Sequence, residues 1–446
     1  VEENVATISS SHQLPVVMDE EVNYETLIHL VIETSTDEKE VFYMLLNEFF
    51  PYWESTTNNT TILDALVGLG KTEATVTYLS QSYLKDSFKT MYSAESICQV
   101  LEVVLRFRRK LLEKGSIKCN VDKFLLKPSR FCLNFDGLKD KAKVSEILNS
   151  NIYTNEEKNF VTSIKCETNK YKTGCKLIFA THASVFHHTE LFKDFDMIFD
   201  ELPSYSLEIV DTRKDADTLK QFHIDHYEMC GEAKIDPSHM SKAVYYGLIN
   251  VSDVKDKAKV VYHLQRELPF RKTLIMSSFA TIGFFGSLII QNDWSVVSPK
   301  DNKELAQIYI DNLDITVYNE KSVTNMNTEE LKRMALKHVR NPSSTFVVST
   351  GVQGNIESLL SVRTNKRGLN ALSNFTECIV LTQLNYSTNI KGLISSEYFE
   401  RLDQGSKLTQ SIFRGCVRQR KKMKLYLPSY EAKVRILAVL EMYLND

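Results

Sequence analysis

The chain repeats one pattern: a short apolar run, rich in β-branched or aromatic residues, followed by a longer stretch with helical spacing. Ile62–Val67, Phe88–Ser93, Lys176–Ala180, Asp196–Phe199 and Thr273–Met276 are such runs. Ile308–Ile310, Thr345–Ser349, Glu377–Leu381 and Lys424–Leu427 form a second group. Runs that stay apolar without strict alternation suit strands buried on both faces, and such strands linked by helices build parallel sheets. The two groups part near residue 300, so the predicted fold class is α/β with two tandem parallel sheets. A chain of 446 residues also exceeds what one hydrophobic core supports.

The predicted organisation has three parts. Residues 1–13 are polar. From Tyr24 to Phe50, Leu27, Leu30, Val31, Val41, Phe42, Leu45, Leu46 and Phe49 fall at helical spacings in two blocks, so residues 1–55 are expected to form an acidic, partly helical N-terminal element. Residues 56–298 form the first α/β domain, with inserted segments near 114–172 (lysine-rich, weakly periodic) and 205–268 (mainly polar, read as helical over about 212–268). Within it, helices are expected at Lys71–Ser80 and from Glu95 to about Glu113. Residues 299–446 form the second domain.

Composition narrows the class. With 43% apolar and 25% charged residues the chain is an ordinary globular one. No apolar run reaches the ~18 residues of a membrane span, and no charged-then-apolar leader opens the sequence, so neither membrane nor secretion is expected. The eight cysteines (98, 119, 132, 166, 175, 230, 378 and 416) form no C-x-x-C pair, which suits reduced thiols in a cytoplasmic protein. The net charge of −3 divides into −11 over residues 1–60 and +8 over the remainder. A basic body behind an acidic segment fits an anionic ligand or polymer, although an uneven charge distribution alone names no partner.

Two segments carry candidate chemistry. ALVGLGKTEA, residues 65–74, follows an apolar run and opens a helix. A glycine-rich loop at a helix N-terminus directs several backbone N–H groups and the positive end of the helix dipole at one point. Lys71 could then balance the β- and γ-phosphates of a nucleotide and the Thr72 hydroxyl could ligate Mg²⁺. The general phosphate-loop pattern has glycine where this chain has Ala65, so alone the segment also fits a plain strand–helix turn. MIFDELPSYS, residues 197–206, puts Asp200 and Glu201 at the carboxyl end of a strand, where open α/β sheets bind ligands. Asp200 would hold the cation and Glu201 would orient and deprotonate a water. Alone, it also fits a solvated acidic turn.

Taken together and in order, these segments resemble the motifs of a superfamily 2 helicase of the DExx type. Ala65-x-x-Gly68-x-Gly70-Lys71-Thr72 resembles motif I, in which alanine often replaces the leading glycine, and Asp200-Glu201-Leu202-Pro203 resembles motif II. Phe88–Glu95 sits where motif Ia would be, and Ala180–Ser184 resembles a segment used against the nucleic-acid backbone. Ser277-Ser278-Phe279-Ala280-Thr281 is similar to the S-A-T of motif III with one residue inserted. Thr345–Thr350 resembles motif IV and Arg367-Gly368-Leu369-Asn370 motif V. Gln410–Arg418 resembles motif VI, with Phe413 at the family's glycine and Arg418 one residue later than the family spacing. Within the superfamily, RGLN, VLTQLN and QSIFRG are most similar to herpesvirus origin-binding-type and phage replication helicases.

The resemblance covers roughly residues 60–430 and implies two RecA-like domains with ATP and Mg²⁺ between them. It implies catalytic roles for Lys71, Glu201, Arg414 and Arg418, with Arg414 the better match to an arginine finger. Nucleotide contacts fall to Gly68, Gly70, Lys71, Thr72, Gly368, Asn370 and Gln410, and metal contacts to Thr72 and Asp200. Nucleic-acid contacts fall to Ser93, Thr181, His182, Ser184, Thr350 and Arg367. The implied partner is DNA, single-stranded or branched, with RNA not excluded, together with replication or recombination proteins. The implied location is cytoplasmic, or the host cytoplasm for a viral or phage product. The competing readings are a fork-remodelling translocase, a nucleic-acid-binding protein with a decayed nucleotide site, and a metabolic P-loop kinase that leaves the second half unexplained.

Overall fold

The computed structural model describes residues 29–32, 43–83, 85, 87–114, 131–134, 147–149, 153–164, 176–187, 192–202, 210–213, 245–246, 252–254, 257–261, 263–264, 270–281, 294–299, 301–319, 328–349, 359–363, 372–381 and 397–445. The first sheet takes β1 (His29–Ile32), β2 (Thr60–Asp64), β3 (Thr90–Ala94), β4 (Phe131–Asn134), β5 (Leu177–Thr181) and β6 (Asp196–Asp200). Five short strands follow: β7 (Val210–Arg213), β8 (Tyr245–Tyr246), β9 (Ser252–Val254), β10 (Lys257–Val261) and β11 (His263–Leu264). The chain then returns to the first sheet with β12 (Lys272–Ser277) and β13 (Ser295–Pro299). The second sheet holds β14 (Leu313–Val317), β15 (Thr345–Ser349), β16 (Leu360–Arg363), β17 (Glu377–Val380) and β18 (Met423–Leu427).

The first sheet runs β1-β13-β2-β12-β6-β3-β5-β4 and the second β14-β18-β17-β15-β16, and every neighbouring pair in both is parallel. The fold is therefore α/β with two tandem parallel sheets. β2, β3, β5 and β15 are buried at every position, their threonines and serines included, as strands covered on both faces must be. One apolar cluster runs from Leu63 and Leu274 of the first sheet to Phe346 and Leu425 of the second, through helices Asp301–Asn312, Glu397–Ile412 and Tyr430–Asn445.

The strand order sets the site. β12 lies between β2 and β6, in register Met276↔Leu63 and Met276↔Asp200. The loop after β2, the segment after β12 and the carboxylates closing β6 therefore emerge side by side at one sheet edge.

Four local expectations are corrected. Ile308–Ile310 is not a strand but lies within helix Asp301–Asn312, whose buried Leu305, Ala306 and Tyr309 share a helical face; three apolar residues cannot distinguish the two periods. His29–Ile32 pairs as a strand with Val296–Pro299, so the helical part of the N-terminal element among the described residues is 43–55, widened over Leu45–Phe49 and running into Phe50–Ser55. The stretch read as helical over 212–268 carries, where described, β8 to β11 and the end of β7, all paired antiparallel. In the lysine-rich 114–172 segment, β4 extends the first sheet and helix Asn155–Ser163 docks on helix Ile97–Glu113 through Arg108–Glu156 and Arg109–Glu157 ion pairs, each 2.5 Å. That long helix starts at Ile97 because Ser96 and Gln99 form a reciprocal capping box.

Candidate functional site

The loop after β2 is built to expose backbone N–H groups. Gly68 has φ +98°, and a Cβ there would lie 2.7 Å from Tyr309 Oη and 3.1 Å from the Arg418 carbonyl oxygen, so only glycine fits. Gly70, at φ +75°, turns the chain into helix Lys71–Ser82, whose first N–H groups have no partner inside the helix. Ala65, at the position of the missing glycine, is fully buried and donates its N–H to the Ser277 carbonyl at 3.0 Å. The next N–H, that of Leu66, donates to Asn302 Oδ1 at 2.9 Å, so the same end of the loop is held from two sides.

Lys71 is 7% exposed. Its ammonium donates to the Ala65 carbonyl, to the Leu66 carbonyl at 3.3 Å and to Ser278 Oγ at 3.1 Å. Burial pushes its pKa down, and the carboxylates of Glu201, Asp200 and Asp64 oppose that shift. A buried cation whose partners are two neutral carbonyls and a hydroxyl is poised to exchange them for an anion.

Asp200 and Glu201 face this lysine. Thr72 Oγ1 donates to Asp200 Oδ2 at 3.3 Å, and the Tyr92 hydroxyl donates to the same oxygen. Glu201 has φ +71°, a left-handed conformation that a non-glycine residue adopts only when its surroundings impose it. Its N–H donates to the Met276 carbonyl at 2.8 Å and its Oε2 accepts from Ser277 Oγ at 3.2 Å, so β12 imposes that conformation. Burial, then repulsion from Glu201, raises the Asp200 carboxyl from 3.8 to about 6.

Because that pKa is raised on folding, the folded protein binds more protons than the unfolded chain between pH 3.8 and about 6. Asp200 therefore favours the folded state below that window, and the benefit is lost as pH rises through it. Over the window it changes stability by roughly 3 kcal/mol. Asp200→Asn is expected to flatten this slope in urea unfolding of the metal-free protein from pH 4 to 6.5; an unchanged slope would refute the assignment.

The residues fit a magnesium ion. Thr72 and Asp200 offer hard oxygen donors side by side, and among the described residues no group of three or more His, Cys, Asp or Glu forms a closed cage. Magnesium takes one or two protein oxygens and completes its shell with water and phosphate.

The opposite wall comes from the second half of the chain. Gln410 Nε2 donates to the Ser278 carbonyl at 3.0 Å, the next link after Lys71. Phe413 is fully buried with its ring edge-on to Tyr309 at 4.6 Å, and the Tyr309 hydroxyl donates to the Val67 carbonyl. Phe413 thus braces the glycine loop through Tyr309. Arg414, 3% exposed, and Arg418 both line the cleft with Gly68, Gly70, Lys71, Thr72, Asp200, Glu201 and Gln410. Burial lowers the Arg418 guanidinium from its usual value. Helix Ile97–Glu113 adds Gln99, Glu102 and Arg106 to the lining, with Arg106 ion-paired to Glu102.

Ser93, Thr181, His182 and Ser184 sit apart from this cleft, at the carboxyl ends of β3 and β5. All four are buried: His182 Nε2 is 3.3 Å from the Ser93 carbonyl oxygen, and the Ser184 N–H donates to Thr181 Oγ1 at 3.3 Å. Thr350, Arg367, Gly368 and Asn370 lie outside the described residues. Sequence reasoning missed Tyr92, Asn302, Tyr309 and the Glu102–Arg106 pair. Tyr92 lay inside a quoted segment but at a strand position that reads as core.

Neither protein-family models nor curated protein sequences give a match to the chain. Among solved structures, the chain is similar to a DUF1998 helicase, MrfA, bound to DNA and AMPPNP, at TM-score 0.42 and 10% identity, covering 91% of this chain and 50% of that one. It is similar to RecG bound to a three-way DNA junction at TM-score 0.39 and 12% identity, covering 93% and 45%. It is also similar to S. cerevisiae dbp5 bound to nup159, gle1, ip6 and ADP, at TM-score 0.34 and 11% identity, covering 92% and 88%. The chain spans about half the length of the first two. Among the described residues no helix is long and apolar enough to cross a membrane.

Proposed function

We propose that the chain is an ATP-dependent nucleic-acid translocase of the superfamily 2 helicase type, with RecA-like units over 56–298 and 299–446, acting on DNA in replication or recombination. The observation that carries this reading is the composition of the cleft: a glycine loop with Lys71, a carboxylate pair, and Gln410, Arg414 and Arg418 from the other half of the chain. A metabolic P-loop kinase leaves the second parallel sheet unexplained. The Gln410–Arg414 and Arg367–Asn370 segments favour the origin-binding-like and phage replication group within that superfamily.

The loop N–H groups and Lys71 bind the β- and γ-phosphates. Thr72 and Asp200 hold Mg²⁺, which supplies charge neutralisation at the phosphates when bound. Glu201 orients the attacking water and takes its proton. Arg414 stabilises charge developing on the transferred phosphoryl group. The segments at Ser93, Thr181, His182 and Ser184, with Thr350 and Arg367, carry the strand; the first four residues are themselves buried, so they shape this surface from beneath. Closure and opening of the two halves around the nucleotide then moves the strand stepwise.

The purified chain is expected to hydrolyse ATP faster with single-stranded DNA, with stimulation falling steeply as salt rises. Rates with no nucleic acid, single-stranded DNA, duplex, four-way junction and RNA test this. Stimulation greatest with the junction favours a fork-remodelling enzyme, and none with any of them would refute translocation.

A further inference from the structure

The insertion in the Ser277–Thr281 segment has a partner far away in the sequence. Phe279, the residue between the serines and Ala280-Thr281, has φ +62°, a conformation its side chain does not favour. Its N–H donates to Tyr443 Oη at 2.8 Å, and the two rings lie 5.6 Å apart. The Tyr443 hydroxyl in turn donates to Asp64 Oδ1 at 2.8 Å. Asp64, 1% exposed at the end of β2, also accepts from the Ala280 N–H at 3.2 Å and Thr281 Oγ1 at 3.0 Å. Beside the direct bonds between Asp64 and the turn, the Tyr443 hydroxyl, in a residue 5% exposed, thus joins the last helix both to the strand feeding the phosphate loop and to the segment that holds Lys71 and Gln410.

Tyr443 belongs to helix Tyr430–Asn445, which also grips the opposite wall. That helix packs on helix Glu397–Ile412, which bears Gln410, so closely that a Cβ at Gly405 would lie 2.3 Å from the Arg435 carbonyl oxygen. The last helix of the described chain is therefore fastened to both halves of the cleft: rigidly to the wall bearing Gln410, and through one hydroxyl to the strained turn and Asp64. A few hydrogen bonds at a strained turn yield more readily than a closely packed helix pair.

We propose that Tyr443 is a positioning residue: it latches the 277–281 turn in its left-handed form and so keeps Ser278 between Lys71 and Gln410, making the C-terminal helix the element through which relative movement of the two halves reaches the lysine. This rests on the hydrolysis reading above only for its consequence in turnover; the latch itself is independent of it.

The test is Tyr443→Phe, which removes one oxygen and keeps the ring on Phe279, with Asp64→Asn as the charge control. Amide hydrogen exchange of the peptide spanning 277–281 is measured without nucleotide, alongside the dissociation constant for a fluorescent ATP analogue and kcat with single-stranded DNA. In Tyr443→Phe, exchange at 277–281 is expected to quicken about tenfold, nucleotide affinity to stay within threefold, and DNA-stimulated kcat to fall about tenfold. Asp64→Asn keeps an acceptor oxygen for the Tyr443 hydroxyl, so exchange at 277–281 is expected to stay within threefold of wild type, and a tenfold quickening there would overturn the assignment to that hydroxyl. Unchanged exchange at 277–281 in Tyr443→Phe overturns the latch, as does quickened exchange with kcat intact. A loss of affinity equal to the loss of kcat assigns Tyr443 a merely structural role and also overturns it. A wild-type chain without turnover would refute the hydrolysis reading instead, and the exchange arm would then decide the latch alone.

Discussion

Glu201→Gln is expected to reduce kcat for ATP hydrolysis about a thousandfold while leaving nucleotide affinity within a few-fold of wild type. The substitution keeps the side-chain shape and an oxygen able to accept from Ser277 Oγ, so the strained left-handed backbone at φ +71° stays supported by β12. What is lost is a carboxylate able to take a proton from water. A second effect follows from charge. Glu201 is the largest electrostatic cause of the raised Asp200 carboxyl, so removing it should draw Asp200 down from about 6 toward its usual range. Metal-free stability should then fall less steeply between pH 4 and 6, and magnesium should bind at lower pH. Retained turnover in the purified variant would sink the assignment of Glu201 as the base.

The sequence made the sheets legible for a simple physical reason. Strands buried on both faces, such as β5 and β15, carry consecutive apolar residues and stand out against helical spacing. Ser295–Pro299 and Leu313–Val317 are not picked out as strands, although the first pairs with the central β2. Tyr309 fell in an apolar triplet read as strand, which hid the residue that braces both the glycine loop and Phe413. Strand order was not legible either, since no local pattern records that β12 intervenes between β2 and β6.

The site was legible where chemistry demands a residue type in a fixed order, as at Gly68–Thr72 and Asp200–Glu201. It was illegible where tertiary packing chose the residue. Phe413 looked like decay of a family glycine, yet it is fully buried edge-on to Tyr309. Tyr443 carries no signature at all, because its role is defined by two hydrogen bonds to residues more than 150 positions away.

The two arginines are expected to separate by kinetics. Both line the cleft, but they approach the loop differently. Arg418 crowds the glycine itself: a Cβ at Gly68 would meet its carbonyl oxygen at 3.1 Å and its Cγ at 3.5 Å, and its charge also acts to lower the pKa of Lys71. A residue packed on the phosphate loop contributes alike to the ground state and the transition state, so Arg418→Ala should raise KM about tenfold with kcat little changed. Arg414 follows Phe413, which is packed on Tyr309, and it lines the cleft without being among the atoms that crowd Gly68. Arg414→Ala should lower kcat about a thousandfold with KM nearly constant, as loss of a cation acting only on the transition state does. Arg414→Lys should recover little of that loss, because an ammonium lacks the planar fork. Steady-state kinetics on the three variants decides the matter: a selective kcat loss in Arg418→Ala with Arg414→Ala near wild type would exchange the two roles.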